Sequence, residues 1–220
     1  MRSNDPTRGE VVRAAVALID QNGLRGLTSR KISSHLGVQT KALARLFRDR
    51  EELLDGIVEA IVDELYADPD VRPVSCHWQE YLQAVAHGVR RAALAHPAVF
   101  PLIATRSPAA PWLHPPLRSL RWMETFLESL HQCGFSDRAA VTAYRAFSSF
   151  LLGHLLLEVS ALGDIGSARG PEPRPAQPSD LADYPRMAAM ADELAQNHAD
   201  QQFEEALETL LDRLEGQGIQ

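Results

Sequence analysis

The sequence predicts an all-α fold, on three observations. Apolar residues recur at helical spacing through most of the chain, glycines and prolines separate those stretches, and no run alternates apolar with polar side chains as a half-buried strand would. The 220 residues are 45% hydrophobic and 23% charged, the balance of a globular protein with an ordinary core.

The first helix is expected from about Thr7 to Asn22, with Val11, Ala14, Ala15, Leu18 and Ile19 on one face and Gly23 at its end. Thr28 is a fair N-cap for a short helix, Ser29 to Leu36, in which Ile32 and Leu36 share a face before Gly37 breaks it. Gln39 to Phe47 follows as a helical turn or two with Leu43, Leu46 and Phe47 inward. Asp49 and Glu52 form an acidic analogue of a capping box that opens a helix through about Tyr66. Pro69 and Pro73 stop it. Further helices are predicted from Trp78 to His96, around Val99 to Ala104, from Leu117 to Cys133, from Asp137 to Leu162 behind the Ser136 cap, from Tyr184 to about Gln196, and from Asp200 to Glu215. The helix from Asp137 has apolar residues on more than one side, among them Phe150, Leu151, Leu152, Leu155, Leu156 and Leu157, so it needs cover from more than its own neighbours. A second subunit is a natural source. Residues 163–180, rich in Gly and Pro, are expected to be a mobile loop.

Charge divides the chain. Residues 1–50 hold ten basic side chains against four acidic ones, a balance of +6, and residues 51–220 hold 12 against 25, a balance of −13. A basic head on an acidic body fits a polyanion at one end only. Cys76 and Cys133 make neither a disulfide framework nor a zinc site, which fits a reduced, cytoplasmic setting. The longest apolar run, Phe150 to Leu162, is 13 residues and carries His154 and Glu158, so no membrane span is expected. The N-terminus lacks the apolar segment of a secretory signal.

The helix, glycine turn and helix from Thr28 to Phe47 have the spacing that lets a second helix enter the major groove while the first braces it. The segment LTSRKISSHLGVQTKALARLFRDREELLDGIVEAI resembles the DNA-binding part of TetR-type repressors, from Leu27-Thr28-Ser29-Arg30-Lys31 through Leu36-Gly37-Val38 to Leu43, Phe47 and Arg50-Glu51-Glu52-Leu53-Leu54. Trp78-Gln79-Glu80-Tyr81-Leu82, Gly134-Phe135-Ser136, Tyr184-Pro185, Gln202-Phe203 and Leu210-Leu211 resemble the tetracycline-repressor branch. The resemblance implies a homodimer of all-helical subunits: a helix-turn-helix DNA-binding domain over 1–50, a connecting helix over 51–68, and a ligand-binding and dimerisation domain over 69–220. Helices 137–162 and 200–215 would form the intersubunit bundle.

On matched positions the resemblance puts Arg30 at base edges, and Thr40, Lys41 and Arg45 on the recognition helix, with Gln39 at its start. Thr28, Lys31 and Arg50 would hold phosphates, and Arg48 would add affinity. These residue types suit guanine edges and phosphate oxygens. The chain departs from the pattern at Ala44, where the family usually has an aromatic, at Leu46, and at Gln39, which replaces a small N-cap. In the pocket, the positions that hold tetracycline and magnesium in responsive members read approximately Tyr66, Val85, Val89, Ile103 and Phe126. Magnesium needs oxygen ligands, so neither tetracycline nor any metal or other cofactor is expected. Trp112, Trp122, Val141, Tyr144, Phe147 and Ser148 nearby point to an apolar or aromatic effector with one or two polar anchors. The leading reading is therefore a ligand-responsive regulator, most simply a repressor, binding an operator in double-stranded DNA. A small-molecule-binding or scaffolding dimer without sequence-specific DNA binding is the alternative. An enzyme is disfavoured, because no nucleophile elbow, P-loop, HExxH or paired-carboxylate motif is present.

Overall fold

The computed structural model describes residues 5–67, 77–105, 120–162 and 183–218. Over these residues the chain is helical without strands: α1 Arg8–Asn22, a 3-10 turn Leu24–Gly26, α2 Ser29–Leu36, α3 Thr40–Leu46, α4 Arg50–Ala67, α5 Trp78–Ala95, α6 Phe100–Thr105, α7 Leu120–Gln132, α8 Asp137–Ala161, α9 Pro185–Ala189, α10 Ala191–Leu194 and α11 Ala199–Gly218. The expected loop at 163–180 lies outside the described residues.

Local chemistry sets the boundaries of the head. Thr7 and Glu10 cap α1 reciprocally: the Glu10 N–H donates to Thr7 Oγ1 at 3.2 Å, and the Thr7 N–H donates to Glu10 Oε2 at 2.7 Å. Those hydrogen bonds hold the Glu10 carboxyl below its ordinary range. Gly23 ends α1 at φ 67° and ψ 167°, a region essentially reserved for glycine. Thr28 accepts the Lys31 N–H at 3.2 Å to start α2, and Gly37 closes α2 in the left-handed conformation at φ 66° and ψ 27°. The 3-10 turn between α1 and α2 was not foreseen from the sequence. It needs Gly26, because a Cβ there would stand 2.7 Å from that of Asn22.

The start of α4 differs from the expected box. Asp49 Oδ1 does accept the Glu52 N–H at 2.8 Å. Glu52 turns instead to the Arg48 N–H at 2.8 Å, the Arg48 Nε at 3.1 Å and the Arg8 Nη1 at 3.1 Å. Arg8 also donates to the Leu46 carbonyl at 3.0 Å and lies over the Phe47 ring at 4.3 Å. One carboxylate thus ties the starts of α1 and α4 to the end of α3. The Arg48 N–H contributes most to holding its pKa down, at about 2, with the two guanidinium groups adding to it.

Two hydrophobic cores result. The first joins α1 residues Val11, Ala15 and Ile19 to Ile32, Leu43, Phe47 and the α4 residues Leu54, Ile57 and Ile61, and it also takes in Val99 and Leu102. The second fills the body between α5, α7, α8 and α11, around Leu82, Val85, Phe126, Phe147, Leu155 and Phe203. α8 is long and apolar enough to cross a bilayer by length and composition, but Ala143, Phe147, Leu151, Leu155 and Val159 are buried in this second core. It is the central helix of the body.

One expectation for the C-terminal segment needs correction. The helix predicted from Tyr184 to Gln196 breaks at Met190, which sits at φ −112° and ψ 9°. Neither α9 nor α10 has a buried residue, so packing does not hold them as one rod. The apolar stripe of α11, Phe203, Leu207, Leu211 and Leu214, is buried in the second core against α5 and α8.

Replacing Leu207 by Ala is therefore expected to cost about 2–5 kcal/mol of folding stability, read by denaturant unfolding. Glu52 contributes stability that is fully present above the ordinary carboxylate value of 4.5 and is lost as pH falls through about 2. Glu52→Gln is expected to unfold more easily at neutral pH and to lose part of the acid dependence over that window in a pH series of melting curves.

Candidate nucleic-acid interface and ligand cavity

The exposed face of the head is built by α2, α3 and the turns that bound them. Arg30 and Lys31 stand on α2, and Thr40, Lys41 and Arg45 on α3, all exposed, with Thr28 and Gln39 exposed at the two helix starts. Gln39 makes no side-chain cap, as its length leads one to expect. Ser33 Oγ donates instead to Thr40 Oγ1 at 3.2 Å, across the turn between the helices. Arg45 is 74% exposed and pairs with Asp5 at 3.3 Å. Arg48 is also on the surface, with its Nε on Glu52.

Arg50, expected at a phosphate, makes contacts within the head that the sequence did not reveal. Its Nη1 donates to the Leu27 carbonyl at 2.6 Å and its Nη2 to the Leu24 carbonyl at 2.9 Å. The guanidinium thereby fastens α4 to the 3-10 turn, holding the Leu27 carbonyl and adding a second donor to the Leu24 carbonyl, which already accepts the Leu27 N–H at 3.2 Å. At Ala44, the absent aromatic leaves one wall of a groove of about 380 Å³, bordered by Thr28, Ser29, Thr40, Arg48 and Arg50 and floored by Leu43 and Phe47.

Inside the body, Val58, Val62 and Leu65 of α4, Val89 of α5, Phe100 and Ile103 of α6, Trp122 of α7, and Ser148, Leu151 and Leu152 of α8 enclose a cavity of about 50 Å³. Four expected positions, Val89, Ile103, Trp122 and Ser148, line it. Val85, Phe126, Tyr144 and Phe147 form the core beside it, where Phe126 packs on Trp122, Tyr144 and Phe147 at centroid distances of 5.2, 5.7 and 5.6 Å. Val141 does not belong: it is exposed in a separate groove with Glu124, Leu127, Glu128 and His131, because α8 turns that face away from the cavity. The side chain of Tyr66 and all of Trp112 lie outside the described residues. Sequence reasoning missed Val58, Val62, Leu65, Phe100, Leu151 and Leu152. Their apolar character was plain, but only the crossing of α6 over α4 and α8 brings them together.

Among the described residues, nine of the ten lining side chains are hydrocarbon or aromatic apart from the indole N–H of Trp122, and none is charged. Ser148 is the exception. It is 2% exposed and its Oγ makes no well-formed hydrogen bond. Burial pushes the phenol of Tyr144, one turn earlier on α8, up to about 12, and the nearby Ser148 hydroxyl offsets only part of that rise.

A polar cluster near the C-terminal end of α8 was also not foreseen. Arg90 is 13% exposed and donates from Nε to both oxygens of Glu158 at 3.0 and 3.2 Å, and from Nη2 to Asp200 on α11. Its guanidinium lies 4.9 Å from the Phe203 ring centroid. Its hydrogen bonds to Glu158 hold the Arg90 pKa above the ordinary arginine value. The helical neighbours His154 and Glu158 therefore do not pair with each other: Glu158 takes Arg90, while His154 packs edge-on against Phe203 at 5.4 Å. Local spacing showed the neighbours on α8, but the cross-helix partner came from α5.

Comparison with known proteins places this geometry. Residues 11–57 match the family described as bacterial regulatory proteins, tetR family, and residues 73–217 match the tetracyclin repressor-like C-terminal domain. The chain is 32% identical over 205 residues to the class A tetracycline repressor protein from transposon 1721 of Escherichia coli, covering 93% of this chain and 88% of that one. Among solved structures, a possible TetR family transcriptional regulator from Streptomyces coelicolor A3(2) superposes with TM-score 0.73 at 28% identity, covering 96% of this chain and 99% of that one. TetR from Acinetobacter baumannii AYE does so with TM-score 0.74 at 25% identity, covering 98% and 100%. The chain belongs to the tetR family of bacterial transcriptional regulators, whose members bind DNA operators and small-molecule ligands and act as dimers.

Proposed function

We propose that this protein is a cytoplasmic repressor, released from an inverted-repeat operator when a small apolar or aromatic effector other than tetracycline with magnesium enters the body. The cavity carries this reading: among the described residues its lining offers one hydroxyl and one indole N–H amid hydrocarbon and aromatic surfaces, whereas magnesium seeks several oxygen ligands. An uncharged molecule with one hydrogen-bonding group for Ser148 fits that chemistry. Relatives named as tetracycline repressors support the sign of regulation.

The volume supports a mechanism. About 50 Å³ is far below the roughly 300–1,000 Å³ that drug-sized ligands occupy, so an effector has to spread the walls. Two of those walls, α4 and α6 with the residue before it, also supply Val58, Val99 and Leu102 to the core of the head. Spreading them therefore shifts the heads, and in a dimer two recognition helices must match half-sites about one DNA turn apart or a multiple of it. An effector that stabilises the spread form weakens operator binding by the difference in its affinity for the two forms.

α8 and α11 are the proposed intersubunit helices. Leu157 is 76% exposed on α8, and a Cβ added at Gly153, one turn before it, would meet nothing within 4 Å. That bare, apolar surface leaves room for a close helix from a second copy.

Selection from a random duplex pool, followed by affinity against salt, tests the whole reading: an enriched inverted repeat with a steep salt slope is the expected result. Binding equal to random DNA sinks it, and the alternative of an effector-binding dimer then stands. Arg45→Ala is expected to weaken binding to the selected duplex by about 1–3 kcal/mol without altering the dimer; unchanged affinity removes Arg45 from base recognition. Leu157→Arg is expected to give folded monomers in analytical sedimentation, and an intact dimer places the interface elsewhere.

A further inference from the structure

One contact joins head to body outside both the DNA face and the cavity. Asp20 lies in the last turn of α1, and His96 ends α5, 76 residues further on; His96 Nδ1 stands 2.7 Å from Asp20 Oδ2. The side chains are 28% and 27% exposed, so water reaches the pair without surrounding it. A proton on Nδ1 makes the bond to the carboxylate whether the imidazole is neutral or charged.

The backbone of His96 gives that contact its place. Its N–H donates to the Ala92 carbonyl at 3.0 Å, closing α5, and its own carbonyl accepts the N–H groups of Val99 and Phe100, both at 3.0 Å, at the entry to α6. The imidazole is therefore fixed to the turn from which α6 emerges. α6 and the residue before it face two ways: Val99 and Leu102 sit in the core of the head, while Phe100 and Ile103 line the cavity.

Apolar burial holds these surfaces together but is non-directional, so it sets their separation more firmly than their register. A hydrogen bond from an imidazole N–H to a carboxylate has a short range and a preferred angle, and it fixes the register. We propose that Asp20 and His96 are positioning residues that hold the head in register with the α5–α6 turn, so that dilation of the cavity moves the head instead of being absorbed by slippage. The regulatory consequence rests on the function proposed above. The register itself is measurable without DNA or effector.

Pulsed dipolar spectroscopy tests the register, with spin labels at His35 and Glu128, both exposed, after both native cysteines are changed to serine. Dilution with unlabelled chain leaves only distances within one subunit. Asp20→Ala and His96→Phe are each expected to broaden the head-to-body distance distribution with helicity retained, and the double variant to broaden it no further. Asp20→Asn keeps an acceptor for Nδ1 and is expected to remain close to the parent. On a duplex recovered by selection, Asp20→Ala is expected to bind about two- to fivefold more weakly, although it removes nothing from the DNA face. Distributions identical in the parent, Asp20→Ala and His96→Phe overturn the proposal. So does equal broadening from Asn22→Ala, a substitution on α1 outside the pair. Failure to recover an operator counts against the proposed function alone, because the distance measurement needs none.

Discussion

The segment around α6 has to be buried on both sides, and the rest of the architecture depends on that constraint. Val99 and Leu102 complete the core of a head that would otherwise end at α4, while Phe100 and Ile103 close a cavity otherwise open between α4 and α8. A helix of six residues has little stability of its own, so its position is set by the two surfaces it fills. Close-packed surfaces change in discrete steps, which is what makes so short an element suitable for passing a change from one core to the other.

Electrostatics divides the labour differently. The head carries the positive balance, yet several of its charges are spent on its own architecture. Arg50 holds two carbonyls of the 3-10 turn, and Arg8 and Arg48 share Glu52. The other cationic groups on α2 and α3, Arg30, Lys31 and Lys41, are exposed, as is Arg45. In the body, Arg90 is largely withdrawn from solvent, and its hydrogen bonds with Glu158 and Asp200 compensate its desolvation. It locks α5, α8 and α11 at one end of the core.

Most of the fold was legible in the sequence because capping and helical periodicity are local. Thr28, Gly37, Ser136 and the α11 stripe mark their elements within a few residues. What stayed hidden depended on long-range geometry. Nothing around Arg50 announces that its guanidinium will reach back to Leu24, and nothing around Phe100 announces that α4 will pass beside it. The α11 stripe shows the limit of periodicity: spacing reveals that a face is apolar, but not which chain covers it. The cavity was half legible for the same reason. Val89, Ile103, Trp122 and Ser148 were reached through resemblance, whereas Val141 fell on the wrong side of α8, where a change of one position turns a side chain by about 100°.

The pairing of Arg45 with Asp5 has a consequence for discrimination. On the proposed reading, the guanidinium meets DNA already holding an acidic partner 3.3 Å away. A lone phosphate oxygen replaces one anion with another and gains little. A guanine edge offers two acceptors in a plane that suits the guanidinium fork, an arrangement that a single Asp5 contact does not reproduce. Asp5 then works as an internal decoy, taxing random DNA more than the operator and widening the margin between them without adding a contact to the correct site.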